Sequence, residues 1–157
     1  KHLENASLLD CDALIDDIVT TSNLPAGFNV LHENLPAILT PKAPLLQVLS
    51  NLINNAVKHH DKDTGTIRVY TEDADDRIIF HVEDDGPGIK PEHHDQVFEI
   101  FRTLRPRDEV EGSGMGLAIA AKAVRQFGGE IRVESDGKRG TDFWFTWPKE
   151  PPAELEV

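Results

Sequence analysis

A single cysteine, Cys11, stands among 157 residues. That excludes an intramolecular disulfide framework and a cysteine-built zinc cluster, and it fits a reducing compartment. Basic residues are also short: 16 Lys and Arg face 28 Asp and Glu, leaving a formal charge of −12 at pH 7. Neutralising a nucleic-acid backbone takes a surplus of cations, so DNA and RNA are poor partners for this chain. No apolar run approaches the roughly 18–20 residues that cross a bilayer. Internal repeats and low-complexity tracts are absent. What is present is a 39% hydrophobic complement, enough for the buried core of one domain of this length. The first residue is Lys1 and nothing near it resembles a signal segment, so the sequence reads as a piece of something longer.

Hydrophobic spacing sets out the elements. Ala6–Asp10 is a short apolar run, and Leu14, Ile15, Ile18 and Val19 mark a helix that Asp10 or Asp12 can cap. Pro25 and Gly27 break it; Phe28–His32 reads as a strand, and Leu35–Leu39 as another short apolar segment. Leu45, Val48, Leu49, Leu52, Ile53, Ala56 and Val57 then repeat at helical spacing, the most regular pattern in the chain. Thr66–Thr71 and Arg77–Val82 predict a hairpin around Asp73–Asp76, followed by a glycine-rich turn over Glu83–Ile89. Pro91–Ile100 suggests a short helix and Phe101–Gly116 a long loop. Leu117, Ala120, Ala121 and Val124 mark a further helix that Gly128 and Gly129 stop. Strands follow at Ile131–Ser135 and Asp142–Trp147, with Gly137 and Gly140 in the turn between them. This order predicts an α+β fold, a mixed or antiparallel sheet with helices on one face.

Three places carry chemistry. On the long helix, Asn51, Asn55 and Lys58 share a stripe beside the apolar face. An amide oxygen is a hard ligand for Mg²⁺ and a lysine is a point charge for phosphate, although the same stripe also describes a half-buried polar edge. Asp84-Asp-Gly-Pro-Gly88 ends a strand, where Asp84 or Asp85 can accept a hydrogen bond; alone it equally describes an ordinary turn. Gly112-Ser-Gly-Met-Gly116 opens directly into a helix. Backbone N–H groups and the positive end of the dipole there favour an anion, although closely spaced glycines also describe a flexible linker. The spacing is neither a Walker loop nor a dinucleotide fingerprint.

In order, Asn51-Leu-Ile-Asn-Asn-Ala-Val-Lys58, Asp84-Asp-Gly-Pro-Gly-Ile89, Phe98-Glu-Ile-Phe101, Gly112-Ser-Gly-Met-Gly-Leu117 and Gly140-Thr141 resemble the N, first glycine, F, second glycine and threonine boxes of bacterial sensor histidine kinases. The resemblance is to their catalytic, ATP-binding domain, of the GHKL superfamily, and it covers roughly residues 5–148. It implies an α/β two-layer sandwich of the Bergerat type, a mixed sheet covered on one face by three main helices. Residues 1–150 would be this domain and 151–157 an acidic, Pro-rich tail.

The resemblance also implies roles. Asn51 and Lys58 would belong to the catalytic set, with Asn55 the Mg²⁺ ligand and Lys58 at the phosphates. His59 would lie against adenine, Asp84 would accept from the adenine amine, and Gly86, Gly88 and Ile89 would line the approach of the base. Phe98 and Phe101 would anchor a lid, and Gly112, Gly114, Met115, Gly116 and Leu117 would form its hinge and the phosphate-side helix start. Thr141 would back Asp84, and one of Arg102, Arg105 and Arg107 would reach the γ-phosphate. The implied activity, on the cytoplasmic side, is transfer of the γ-phosphate of Mg-ATP to a histidine on a separate dimerisation domain of a homodimeric parent, itself membrane-anchored or not, with a response regulator downstream. Asn51 stands where the ATPase branch carries a water-activating glutamate, which argues against rapid hydrolysis. No phosphoacceptor box is present; His81 mid-strand reads as packing, and the His93-His94 pair as part of a solvated short helix in preference to a metal site. A serine kinase of the same superfamily and a non-catalytic nucleotide sensor are the alternatives.

Overall fold

The computed structural model describes residues 5–99 and 116–151. Its first and third strands, β1 (Ala6–Asp10) and β3 (Ala37–Pro41), pair antiparallel as a separate ribbon. These are the two short apolar runs that periodicity left unassigned. Between them lie helix α1 (Cys11–Ser22) and strand β2 (Phe28–His32). Asp10 caps α1, its Oδ1 accepting from the N–H groups of Asp12 at 3.0 Å and Ala13 at 3.3 Å.

Helix α2 (Lys42–Lys58) follows β3 directly and buries Leu45, Val48, Leu49, Leu52, Ile53 and Ala56, the stripe its sequence predicts. Strands β4 (Gly65–Ala74) and β5 (Arg77–Pro87) form a hairpin that is longer and tighter than the sequence suggested. Pairing runs to Ala74 and Arg77, leaving Asp75 and Asp76 as the loop, with Asp75 at φ 61°. Aspartate tolerates that left-handed conformation better than most side chains.

Three expectations need correction. Glu83–Pro87 is strand and not turn: β5 is flanked by β4 on one side and by β7 (Arg139–Pro148) on the other, so ladder bonds hold it extended. A register shift between Asp84 and Pro87 absorbs the glycine-bearing stretch. Residues 91–99 do not make a regular helix; one 3-10 turn spans Pro91–His93, and the turns after it close through i to i−3 bonds at Gln96 and Glu99. Pro91 supplies no N–H for a ladder. Gly140 likewise lies within β7, at φ 85°, and not in the turn.

Helix α3 (Gly116–Gln126) and strand β6 (Ile131–Glu134) complete the elements of the described residues, and the main sheet runs β2-β4-β5-β7-β6 with β2 and β4 parallel and the remaining pairs antiparallel. One face of it, carrying Ile67, Val69, Ile78, Phe80, Val82, Phe143, Phe145 and Trp147, is buried beneath the three helices. The fully buried indole N–H of Trp147 donates to Thr40 Oγ1 at 2.9 Å, joining the sheet to the ribbon. This is the two-layer mixed α/β sandwich that the box order implied.

Candidate functional site

Alternation along β5 decides between the two aspartates. Ile78, Phe80 and Val82 point into the core, so Asp84 continues the helix-facing side and Asp85 turns away. Asp84 lies between Ile67 of β4 and Thr141 of β7 in the ladder, both buried. Its Oδ1 accepts the Gly86 N–H at 2.8 Å. Burial lifts its carboxyl from the ordinary 3.8 to about 6, against the opposing pull of that hydrogen bond. Thr141 donates its hydroxyl to the Pro87 carbonyl at 3.3 Å, bracing the stretch that follows Asp84. A half-buried carboxylate at the end of a core face, with acceptor capacity left over, is suited to a ligand N–H.

Helix α2 packs on β4 and β5 and against α3. Of its three asparagines, Asn54 is committed to structure, its Nδ2 donating to the Ser50 carbonyl at 2.8 Å and to Ser22 Oγ on α1 at 3.3 Å. Asn51 and Asn55, on the other side of the stripe, are half-buried and make no side-chain hydrogen bond to a described residue. Lys58 is exposed in the last turn, and His59 is the residue after the helix. A Cβ placed on Gly116 would stand 4.0 Å from Asn51 Oδ1, so the first turn of α3 faces the asparagine stripe. Leu117 packs against the core from that turn.

The first glycine box serves the chain's own packing as well. A Cβ on Gly88 would meet Ser135 Oγ at 2.6 Å and Lys138 N at 2.8 Å, in the turn between β6 and β7. Next to it the Ile89 N–H donates to Ser135 Oγ at 2.9 Å. Phe98 packs edge-on against Phe143, with centroids 5.9 Å apart. Phe101, Arg102, Arg105, Arg107, Gly112, Gly114 and Met115 lie outside the described residues. Two further histidines, His81 and His94, have structural partners. His81 is buried on the sheet's outer face between Glu72 and Asp142 and stacks on Tyr70, and His94 Nε2 bonds the Ile89 carbonyl at 2.8 Å. Among the described residues no group of three or more His, Cys, Asp and Glu is placed to hold a metal, and no helix is long and apolar enough to cross a membrane.

One residue near the site was not singled out from the sequence. His60, just past α2, has a buried ring whose Nε2 lies 2.8 Å from Asp85 Oδ1. That oxygen also accepts the Thr66 N–H at 3.0 Å. Burial works against ionised Asp85, yet these two bonds hold its carboxyl below the ordinary value. The doubled His59-His60 after a helix was the only signal, and it does not say which ring turns inward.

The model of the family "Histidine kinase-, DNA gyrase B-, and HSP90-like ATPase" matches residues 41–151. Cyanobacterial phytochrome A of Nostoc sp. is 40% identical over 122 residues, 78% of this chain and 16% of the relative. The aerobic respiration control sensor protein ArcB of Escherichia coli is 31% identical over 148 residues, 88% of this chain and 19% of the relative. The chain thus spans under a fifth of such relatives. Among solved structures, full-length ShkA in complex with AMPPNP superposes with a TM-score of 0.80 at 28% identity, over 98% of this chain and 33% of that one. The mycobacterial sensor histidine kinase MprB gives 0.77 at 25% identity, over 94% and 99%.

Proposed function

Because the chain belongs to the histidine kinase-, DNA gyrase B- and HSP90-like ATPase family, as the catalytic ATP-binding domain of a sensor histidine kinase, we propose that it binds Mg-ATP and presents the γ-phosphate to a histidine on a separate domain of the parent. The observation that carries this reading is the half-buried Asp84 carboxylate on the helix-facing side of β5, the strand on which the helix bearing Asn51, Asn55 and Lys58 packs. Asp84 accepts from the adenine amine and Thr141 braces its strand, while Lys58 neutralises phosphate charge. The unengaged, half-buried amide of Asn55 fits a hard divalent cation, and its oxygen would hold Mg²⁺. The ion supplies charge neutralisation on the phosphate oxygens. Asn51 cannot take a proton from water, so the site positions phosphate for transfer in preference to hydrolysing it.

The parent's dimerisation domain and a response regulator are the partners this reading requires, in a cytoplasmic setting. Its test is reconstitution in trans. The 157-residue chain, incubated with γ-labelled ATP, Mg²⁺ and a fragment bearing the parent's acceptor histidine, should label that fragment with an acid-labile, base-stable phosphate. Label on serine or threonine of a partner would move the chain to the serine-kinase branch. Rapid release of free phosphate by the chain alone would place it with the ATPases.

A further inference from the structure

We infer that His60 is a positioning residue for Asp84, fixing the base-recognition strand end through Asp85 and Gly86; this rests on the adenine-nucleotide reading above. The need for such a device is visible in the ladder. The last β4–β5 pair is Ile67 with Asp84, and on the other side the register shifts between Asp84 and Pro87. Residues 85 and 86 therefore fall in the gap in the register, immediately beside the proposed acceptor. Side-chain bonds take over there. The Lys62 N–H donates to His60 Nδ1 at 3.1 Å, so Nδ1 is the acceptor and the proton sits on Nε2. Nε2–H then donates to Asp85 Oδ1, which also receives the Thr66 N–H. One carboxylate oxygen ties the end of α2, the start of β4 and the end of β5 together.

Packing around the ring leaves it little freedom. The His60 side chain is 1% exposed and meets the Phe28 ring edge-on at 5.3 Å. A Cβ on Gly65 would lie 2.6 Å from Nε2, and one on Gly86 would lie 3.3 Å from Cδ2. The ring thus occupies the space that two glycines leave. Gly86, held from below by the ring, directs its N–H to Asp84 Oδ1 and so sets the orientation of that carboxylate. Asp85 itself turns away from the helix-facing side, so His60 acts on the base only through this relay.

The experiment measures ATP and GTP affinity of the 157-residue chain by calorimetry for wild type, His60→Ala, His60→Gln and Asp85→Ala. Gly86 amide exchange is followed in parallel without nucleotide. Loss of the relay should weaken ATP by about tenfold in His60→Ala and in Asp85→Ala, with GTP affected far less, so the preference for adenine falls. His60→Gln, whose amide can donate to Asp85, should restore most of the preference. The Gly86 amide should exchange faster in both alanine variants. Equal losses for ATP and GTP would overturn the assignment and make His60 a general packing residue, and so would unchanged Gly86 exchange in a folded Asp85→Ala chain, which keeps the ring in place. Failure of the wild type to bind ATP would instead defeat the nucleotide reading, while the ligand-free exchange result would still decide the relay.

Discussion

Asp84→Asn should make the empty protein more stable while removing its proposed ligand contact. The carboxyl is lifted from 3.8 to about 6, chiefly by burial. At about 1.4 kcal/mol for each pKa unit, ionised Asp84 costs the folded state about 3 kcal/mol at most. Partial solvent screening brings the expected gain to about 1–2 kcal/mol. For a chain of this size that is a rise of roughly 3–6 °C in Tm. An asparagine oxygen can still accept the Gly86 N–H, so the fold keeps that bond. The sign follows from proton uptake. Between pH 3.8 and about 6 the folded state holds the proton more tightly than the unfolded state, so wild-type Asp84 becomes less harmful as pH falls. Urea unfolding of both proteins should show the asparagine variant ahead at pH 7.5, with the gap closing toward pH 4. ATP should raise the wild-type Tm and leave the variant's unchanged. A variant less stable than wild type at pH 7.5, or a gap independent of pH, would refute the argument that burial of this carboxylate strains the empty fold.

Asn55→Ala should leave Tm unchanged or slightly higher, since alanine is the better helix former, yet abolish the Mg²⁺ dependence of nucleotide binding; a metal titration identical to wild type would return Asn55 to a structural role. Thr40→Val should destabilise by about 1–3 kcal/mol by stranding the buried Trp147 N–H, and Thr40→Ser should recover most of it in chemical denaturation. His32 bonds Asp12 through Nδ1 and Asp16 through Nε2, both at 2.7 Å; burial depresses its pKa, but these bonds prevail and hold it above the ordinary 6.5. Its contribution, no more than about 1 kcal/mol because Asp16 stands in solvent that screens the pairing, is complete below pH 6.5 and lost as pH rises through the folded-state value. His32→Gln should therefore cost more at pH 6 than at pH 8.5, and equal cost at both would remove the charged pairing.

Periodicity carried the reading furthest where one element buries one face. The α2 stripe from Leu45 to Ala56 is legible because packing demands a 3.6-residue repeat, and the sheet shows its core face in the same way at Ile78, Phe80 and Val82. Extending that alternation selects Asp84 over Asp85, a choice the glycines concealed by making residues 83–89 look like a turn. Local composition cannot register that β5 has a partner on both sides. Leu8 and Leu39 are exposed cross-strand partners in the ribbon, and apolar residues on its outward face blur the alternation that buries Ile38 and Thr40. His60 was harder still. Its setting is assembled from Phe28, Gly65 and Gly86, residues of three segments whose proximity only the fold creates.

On the adenine-nucleotide reading proposed above, the placement of Asp84 joins stability to ligand in one atom group. A strand whose alternate residues are Ile, Phe and Val would gain most by ending its core face on another apolar side chain; ending it on a carboxylate raises the free energy of the empty state. That penalty shrinks when a donor from outside meets the remaining lone pairs, which is what an adenine amine offers. Ligand affinity and apo stability at this position are thus opposed by construction, and substitutions that relieve one should weaken the other. The same logic explains why the neighbouring carboxylate is treated differently. Asp85 has its own internal donors in His60 and Thr66, so it is stabilised as an anion without any ligand, and it is free to serve as the fixed point beside a group that must wait for one.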